Sequence, residues 1–164
     1  MNYADIKYCD VANGEGVRVS LFVSGCTHHC KECFNKEAWD FHYGNPFTQK
    51  EIDRILEYLK PNYIAGLSLL GGEPMEPVNQ EGILPLLRVV KQTYPEKNIW
   101  CYTGYLFDKD VLDKMCKESE VTKEIVSYLD IVVDGEFMID RKNLKINFRG
   151  SDNQRIIDVK KTLD

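Results

Sequence analysis

Val17-Arg-Val-Ser-Leu-Phe-Val-Ser-Gly-Cys26-Thr-His-His-Cys30-Lys-Glu-Cys33 carries two patterns in one run. Val17, Val19, Leu21 and Val23 alternate with Arg18, Ser20 and Phe22 after the turn-forming Asn13-Gly14-Glu15-Gly16, and this period of two predicts a strand at roughly 17–24. The strand delivers the chain directly into three cysteines spaced C-x3-C-x2-C. Downstream, Thr48-Gln-Lys-Glu51 has the capping-box pattern, and Ile52, Ile55, Leu56 and Leu59 recur at helical spacing before Pro61, which predicts an amphipathic helix. Ile64 and Leu67-Ser-Leu-Leu70 then form a short apolar run ending in Gly71-Gly72, as a buried parallel strand does. A second helix is expected from about Gly82, with Ile83, Leu86, Leu87 and Val90 on one face and Pro85 in its first turn, where proline is tolerated.

The alternation continues with a strand at Asn98–Tyr102, a helix near Asp108–Lys117, a helical piece around Thr122–Tyr128 and a strand from Asp130 to Val133 closed by Asp134-Gly135. Ile156-Ile-Asp-Val159 reads as one more strand. Strands alternating with helices imply right-handed crossovers and a mostly parallel sheet. The chain has 164 residues, whereas a complete eightfold barrel needs about 250. The expected fold is therefore α/β, one domain over residues 1–164, an open and incomplete barrel of about five or six mostly parallel strands. Four strand ends carry unusual residues: the cysteines, Gly71-Gly72-Glu73-Pro74, Thr103-Gly104-Tyr105 and Asp134-Gly135. Ligands of parallel sheets sit at those ends, so the four loops converge on one expected site.

The 21 Lys and Arg against 26 Asp and Glu give a net charge of −5, opposite to the basic footprint of a nucleic-acid binder. The opening MNYADIKYCD lacks a basic-then-apolar signal pattern, and no apolar run approaches the length of a membrane span, so a cytoplasmic location without a membrane partner is expected. Six cysteines are present, three of them within eight residues and Cys9, Cys101 and Cys116 standing singly. In a reducing compartment, clustered cysteines are more often metal ligands or redox groups than a disulfide framework.

A structural zinc site needs four ligands, usually as two separated pairs, and no second pair exists here; His28 or His29 would have to supply the fourth from inside the same short loop. A 4Fe-4S cluster is normally held by four thiolates. Three leave one iron open, and an open position on a metal is where a substrate or cofactor binds. Cys9, Cys101 or Cys116 could still close that position from afar, as an electron carrier would require.

C-x3-C-x2-C and Gly71-Gly72-Glu73-Pro74 resemble the two shared motifs of the radical S-adenosylmethionine superfamily. Asn13–Gly16, Phe22–Asn35, Trp39, Trp100–Tyr105, Val133–Gly135 and Arg149–Arg155 together resemble the activating proteins of anaerobic (class III) ribonucleoside-triphosphate reductases, a family of similarly short chains. The resemblance implies that Cys26, Cys30 and Cys33 hold three irons of a 4Fe-4S cluster whose fourth iron is chelated by S-adenosylmethionine. It implies that the reduced cluster splits that cofactor into methionine and a 5′-deoxyadenosyl radical. The radical would take a hydrogen atom from a glycine of the reductase large subunit, with flavodoxin or ferredoxin as electron donor and no catalytic side chain beyond cluster and cofactor. Glu32, Cys33 and Phe34 would touch the cofactor, Phe34 against its adenine. Gly71, Gly72 and Glu73 would meet its methionine end, the Gly72 backbone and the Glu73 carboxylate at the amino group. Thr103, Gly104 and Asp134 would line the same pocket.

Three positions depart from the family patterns. Glu32 stands where many superfamily members have an aromatic residue, Glu73 where Asp is common in this family, and Phe148 where Trp is usual. Arg149–Arg155 reads either as a capped turn or as a segment that docks the reductase or closes the site, and His28 and His29 either as a solvated pair or as groups that tune the cluster. A small radical enzyme acting on a metabolite and a zinc-stabilised interaction module are the competing functions.

Overall fold

The computed structural model describes residues 1–28, 39–143 and 145–163. Among the described residues seven strands form one mixed sheet: β1 (Asn2–Asp10), β2 (Val17–Val23), β3 (Asn45–Pro46), β4 (Ile64–Gly71), β5 (Asn98–Tyr102), β6 (Ile131–Asp134) and β7 (Arg155–Asp158). Their order is β3-β1-β2-β4-β5-β6-β7. The four central strands, β2, β4, β5 and β6, are parallel. The flanking strands β1, β3 and β7 pair antiparallel. The α/β expectation holds, but the sheet is mixed, has more strands than the five or six expected and is not closed into a barrel. The strands that sequence reading lacked are β1 and the two-residue β3; β1 is the long one. Its pairing with β2 slips between Tyr3 and Asp5 and again between Lys7 and Asp10, so no sustained alternation marks it.

The helices are α1 (Gln49–Leu59), α2 (Pro77–Thr93), a segment of i→i+5 geometry at Phe107–Met115 that runs into α3 (Cys116–Glu118), α4 (Glu120–Tyr128) and α5 (Val159–Leu163). At the start of α1, Glu51 accepts from the Thr48 backbone N–H at 2.9 Å and its hydroxyl at 2.8 Å, as the capping pattern predicts. Helix α2 starts at Pro77, five residues before the expected Gly82, so Pro85 lies in its interior rather than its first turn. Pro85 and Glu81, whose carbonyl the proline leaves without an intrahelical donor, are both exposed, and water can satisfy that carbonyl. The first turn of α2 was unreadable because its buried residues are polar, Asn79 and Gln80. The helix expected near Asp108–Lys117 is instead wide in its first turns: the Val111 N–H bonds the Leu106 carbonyl at 3.1 Å.

Cross-strand register sorts the sheet into two faces. Val19 pairs with Leu67 and Leu67 with Ile99; Leu21 pairs with Leu69, Leu69 with Cys101 and Cys101 with Val132. These residues belong to one core with Ile52, Ile55 and Leu59 of α1, Ile83, Leu87 and Val90 of α2 and Ile125 of α4. Each such buried aliphatic side chain contributes about 1.5–3 kcal/mol. The other face carries Arg18, Ser20, Ser68 and Trp100 at its floor and Phe22, Leu70, Tyr102 and Val133 toward the carboxyl ends of the parallel strands. No helix among the described residues is long and apolar enough to cross a membrane.

Candidate functional site

Backbone bonds tie the cysteine loop to the loop after β4. Gly72 N–H donates to the Val23 carbonyl at 2.8 Å and Glu73 N–H to the Gly25 carbonyl at 2.7 Å. Two glycines permit this approach. Gly71 has φ +109°, and a Cβ there would meet the Val23 carbonyl oxygen at 2.6 Å; Gly25 has φ +104°, and a Cβ there would collide with the Phe41 ring. The buried turn of α2 completes the stitching, with Asn79 Nδ2 donating to Ser24 O at 3.1 Å and Glu73 O at 2.9 Å and Gln80 Nε2 to Met75 O at 2.7 Å.

These loops surround a cavity of about 330 Å³ at the carboxyl ends of the parallel strands. That volume is in the range of small-molecule sites, about 300–1,000 Å³. Phe22, Leu70, Tyr102 and Val133 line it from the sheet, and Cys26, His28, Gly71, Gly72, Glu73, Thr103 and Gly104 from the loops. Cys26, buried in the loop three residues after β2, lines it and brings a thiol there. A soft sulfur donor beside apolar walls, glycine backbone and a carboxylate fits an iron-sulfur cluster with a cationic cofactor better than it fits a hard cation, which takes oxygen ligands. Cys30, Glu32, Cys33 and Phe34 lie outside the described residues. The other cysteines are elsewhere: Cys101 and Cys116 are buried in the helix-side core and Cys9 is exposed, and none of the three lines the cavity. Burial pushes the Cys101 thiol well above its usual range, so it stays protonated.

Glu73 organises the centre. It is 1% exposed, and its Oε1 accepts from Gly104 N–H at 2.7 Å and His28 Nε2 at 2.7 Å. Its Oε2 accepts from Met75 N–H at 2.9 Å and the Thr103 hydroxyl at 2.7 Å. His28 also meets Glu136 through Nδ1 at 2.9 Å. Both of its ring nitrogens face carboxylates, which only accept, so the ring is an imidazolium. Burial alone would lower its pKa, but the hydrogen bonds to Glu73 and Glu136 outweigh that and raise it to about 9. Gly104 makes room for this ring, since a Cβ there would meet His28 at 2.7 Å.

Sequence reasoning gave Glu76 no role, yet it clamps the cysteine loop. Its Oε1 accepts from the Thr27 hydroxyl at 2.5 Å, Thr27 N–H at 3.3 Å and the Tyr105 hydroxyl at 3.1 Å. Burial is the main cause that pushes the Tyr105 phenol up to about 12, which keeps it a donor. The one available signal was position: Glu76 follows the Gly71-Gly72-Glu73-Pro74 turn by two residues. Asp134, expected in the pocket, is not brought there. Its neighbours Val133 and Gly135 line the cavity while its carboxylate, fully buried, accepts from Phe107 N–H at 2.8 Å and from Arg155. Arg155 also bridges to Asp108, so this pair pins β6, β7 and the start of the wide helical segment together.

Known proteins resemble this chain over nearly its full length. Residues 12–157 match the family described as a 4Fe-4S single cluster domain. The chain is 40% identical over 158 residues to the anaerobic ribonucleoside-triphosphate reductase-activating protein of Pasteurella multocida, covering 95% of this chain and 96% of the relative. The protein of the same name from Enterobacteria phage T4 is 43% identical over 158 residues, covering 95% and 93%. That from Escherichia coli K12 is 38% identical over 156 residues, covering 94% and 96%.

Proposed function

The chain belongs to the family of anaerobic ribonucleoside-triphosphate reductase-activating proteins, and from that premise we propose that it is a cytoplasmic radical S-adenosylmethionine enzyme, one domain over residues 1–164, that generates the glycyl radical of such a reductase. The observation that carries this reading is the cavity in which the Cys26 thiol, the Gly71-Gly72 turn and the buried Glu73 meet at the carboxyl ends of four parallel strands. Cys26, Cys30 and Cys33 are the ligands of the 4Fe-4S cluster. When bound, cluster and S-adenosylmethionine supply a one-electron reductive cleavage to methionine and a 5′-deoxyadenosyl radical, which takes a hydrogen atom from a glycine of the reductase.

The chain's own residues position and shield. Glu32 and Phe34 flank the last ligand and contact the cofactor, Phe34 against its adenine. Gly71 and Gly72 let backbone approach the methionine end without an intervening side chain. Glu73 holds Thr103 and Gly104 in place, and its Oε1 now carries the His28 imidazolium. A methionine ammonium at that oxygen would exchange one cation for another, leaving the carboxylate neutralised. Phe22, Leu70 and Val133 keep water from the reacting end. The electron donor is a flavodoxin or ferredoxin, and neither nucleic acid nor membrane is a direct partner.

Anaerobic reconstitution with iron and sulfide, followed by S-adenosylmethionine, a reductant and the reductase, tests the reading. A brown 4Fe-4S protein that releases 5′-deoxyadenosine and yields a glycyl radical doublet by electron paramagnetic resonance is expected, and Cys26→Ala should abolish all three signals. Zinc without labile sulfide, or no protein radical under strongly reducing conditions, would overturn it.

A further inference from the structure

Every acceptor position of the buried Glu73 carboxylate is taken by the protein itself. A carboxylate offers about four lone-pair sites, and here they receive the Gly104 N–H, His28 Nε2, the Met75 N–H and the Thr103 hydroxyl. The fold fixes all but one of these donors. Two are backbone groups, and Thr103 is locked on both sides: its hydroxyl also accepts the Tyr105 N–H at 3.1 Å, and its own N–H donates to the Val133 carbonyl at 2.9 Å. Only His28 has a second carboxylate to turn to.

That carboxylate is Glu136, which His28 already meets through Nδ1 at 2.9 Å and which, at 49% exposed, is free to follow the ring. The backbone behind the ring stays in place meanwhile, because Glu76 clamps Thr27 through its N–H and hydroxyl. The ring's position on Glu73 is nonetheless a built one. The His28 side chain is 9% exposed, Tyr105 stands edge-on to it with ring centroids 4.4 Å apart, and Gly104 lacks the Cβ that would meet it at 2.7 Å.

We propose that His28 is a positioning residue that competes with the ammonium of S-adenosylmethionine for Glu73, an inference that rests on the radical function proposed above. The two exclude one another at Oε1, so the cofactor seats only as the ring turns away to Glu136. A buried charge deprived of its partner is strongly destabilising, and this exchange keeps Glu73 paired at every stage. Affinity is lowered in return, because a ligand that must displace an internal competitor binds only to the fraction of molecules whose position is free. Release is helped by the same contact. Methionine keeps its ammonium after the cofactor is split, and the returning ring expels it.

Calorimetric binding to the anaerobically reconstituted protein tests this without turnover. His28→Asn sets an amide nitrogen near the place of Nδ1, which keeps the bond to Glu136 and gives up the one to Glu73. His28→Gln reaches as far as Nε2 and keeps a neutral bond to Glu73. S-Adenosylmethionine and methionine should each bind His28→Asn about tenfold more tightly than wild type, the consequence of one charge-assisted hydrogen bond that need not be displaced, with His28→Gln in between. 5′-Methylthioadenosine has no ammonium and should bind all three proteins alike. Without ligand, the urea midpoint of His28→Asn should fall, so stability and affinity move in opposite directions; a merely structural role would lower both. Unchanged or weaker binding of S-adenosylmethionine to a His28→Asn protein that retains its iron and sulfide, or an equal gain for 5′-methylthioadenosine, would overturn the proposal. Should His28→Asn fail to assemble, His28→Gln decides by the same criteria. Wild-type protein that binds none of the three ligands would sink the radical function instead.

Discussion

The two faces of the parallel strands are built from alternate residues of the same segments and do different work. On the helix side, the rows Val19–Leu67–Ile99 and Leu21–Leu69–Cys101–Val132 are aliphatic apart from one thiol and belong to the buried core. On the other side, Ser20, Ser68 and Trp100 share a row, and Phe22, Leu70 and Tyr102 stand above it around the cavity. One face supplies rigidity and the other chemistry, and a shift of one residue in register would exchange them. Truncating the helix side should therefore cost stability and spare function. Leu67→Ala, at a fully buried position, is expected to lose about 3–5 kcal/mol in urea denaturation. Reductase activation per folded molecule should stay within about twofold, as for a packing change remote from the reacting groups. A large loss of activation at unchanged stability would break the division between the faces.

The helix face was legible in the sequence and the other face only partly. Alternation marked Val19, Leu21 and Val23 as buried, and it also placed Arg18 and Ser20 on the opposite side, where polarity suggests solvent. Arg18 is in fact fully buried, with hydrogen bonds to Ser68 Oγ at 2.7 Å, Leu67 O at 3.0 Å and Glu15 O at 3.0 Å and its guanidinium 5.4 Å from the Trp100 ring centre. Burial draws its pKa down to about 10, still far above neutrality, so the floor of the chemical face is a charged structural plug. Periodicity assigns a face but not what lies over it, because the covering loop, Asn13–Gly16, packs there through tertiary contacts. The same limit separated Val133 from Asp134: the strand end was found, while the alternation that turns the carboxylate away from the cavity needed the exact register. The Gly71-Gly72-Glu73 turn was readable because its glycines answer a local steric demand. Asn79, Gln80 and Glu76 were not, because their partners lie in other loops.

A finer comparison lies within the loop after β4, whose two glutamates are both buried and both clamp neighbouring loops, but by different use of their oxygens. Glu73 spends both oxygens, two donors on each. Glutamine at this position must turn its NH2 toward one pair of donors. Facing Oε2's partners it opposes the Met75 N–H, and facing Oε1's partners it opposes the Gly104 N–H, so one backbone donor is orphaned in either orientation. Glu73→Gln is expected to lose about 2–4 kcal/mol of stability, the orphaned donor adding to the charge lost from the other bonds and from the His28 imidazolium. Activation should fall by about 10–100-fold, since the charge that would meet the methionine ammonium is lost and Thr103 and Gly104 are loosened. Chemical denaturation and the yield of glycyl radical at saturating reductase measure the two effects.

Glu76 receives all three of its donors, Thr27 N–H, the Thr27 hydroxyl and the Tyr105 hydroxyl, on the single oxygen Oε1. Glutamine retains that oxygen and can turn its NH2 away, so Glu76→Gln keeps every hydrogen bond and forfeits only the charge that strengthens them. Because charge-assisted bonds are roughly twice as strong as neutral ones and three are weakened, one of them already long at 3.3 Å, the loss should be about 1–2 kcal/mol, with the cluster still assembled on reconstitution. Iron and sulfide content beside the urea midpoint would register this smallest effect. Equal penalties for Glu73→Gln and Glu76→Gln would mean that negative charge, and not the number of oxygens engaged, is what both carboxylates contribute to holding the cysteine loop against the sheet.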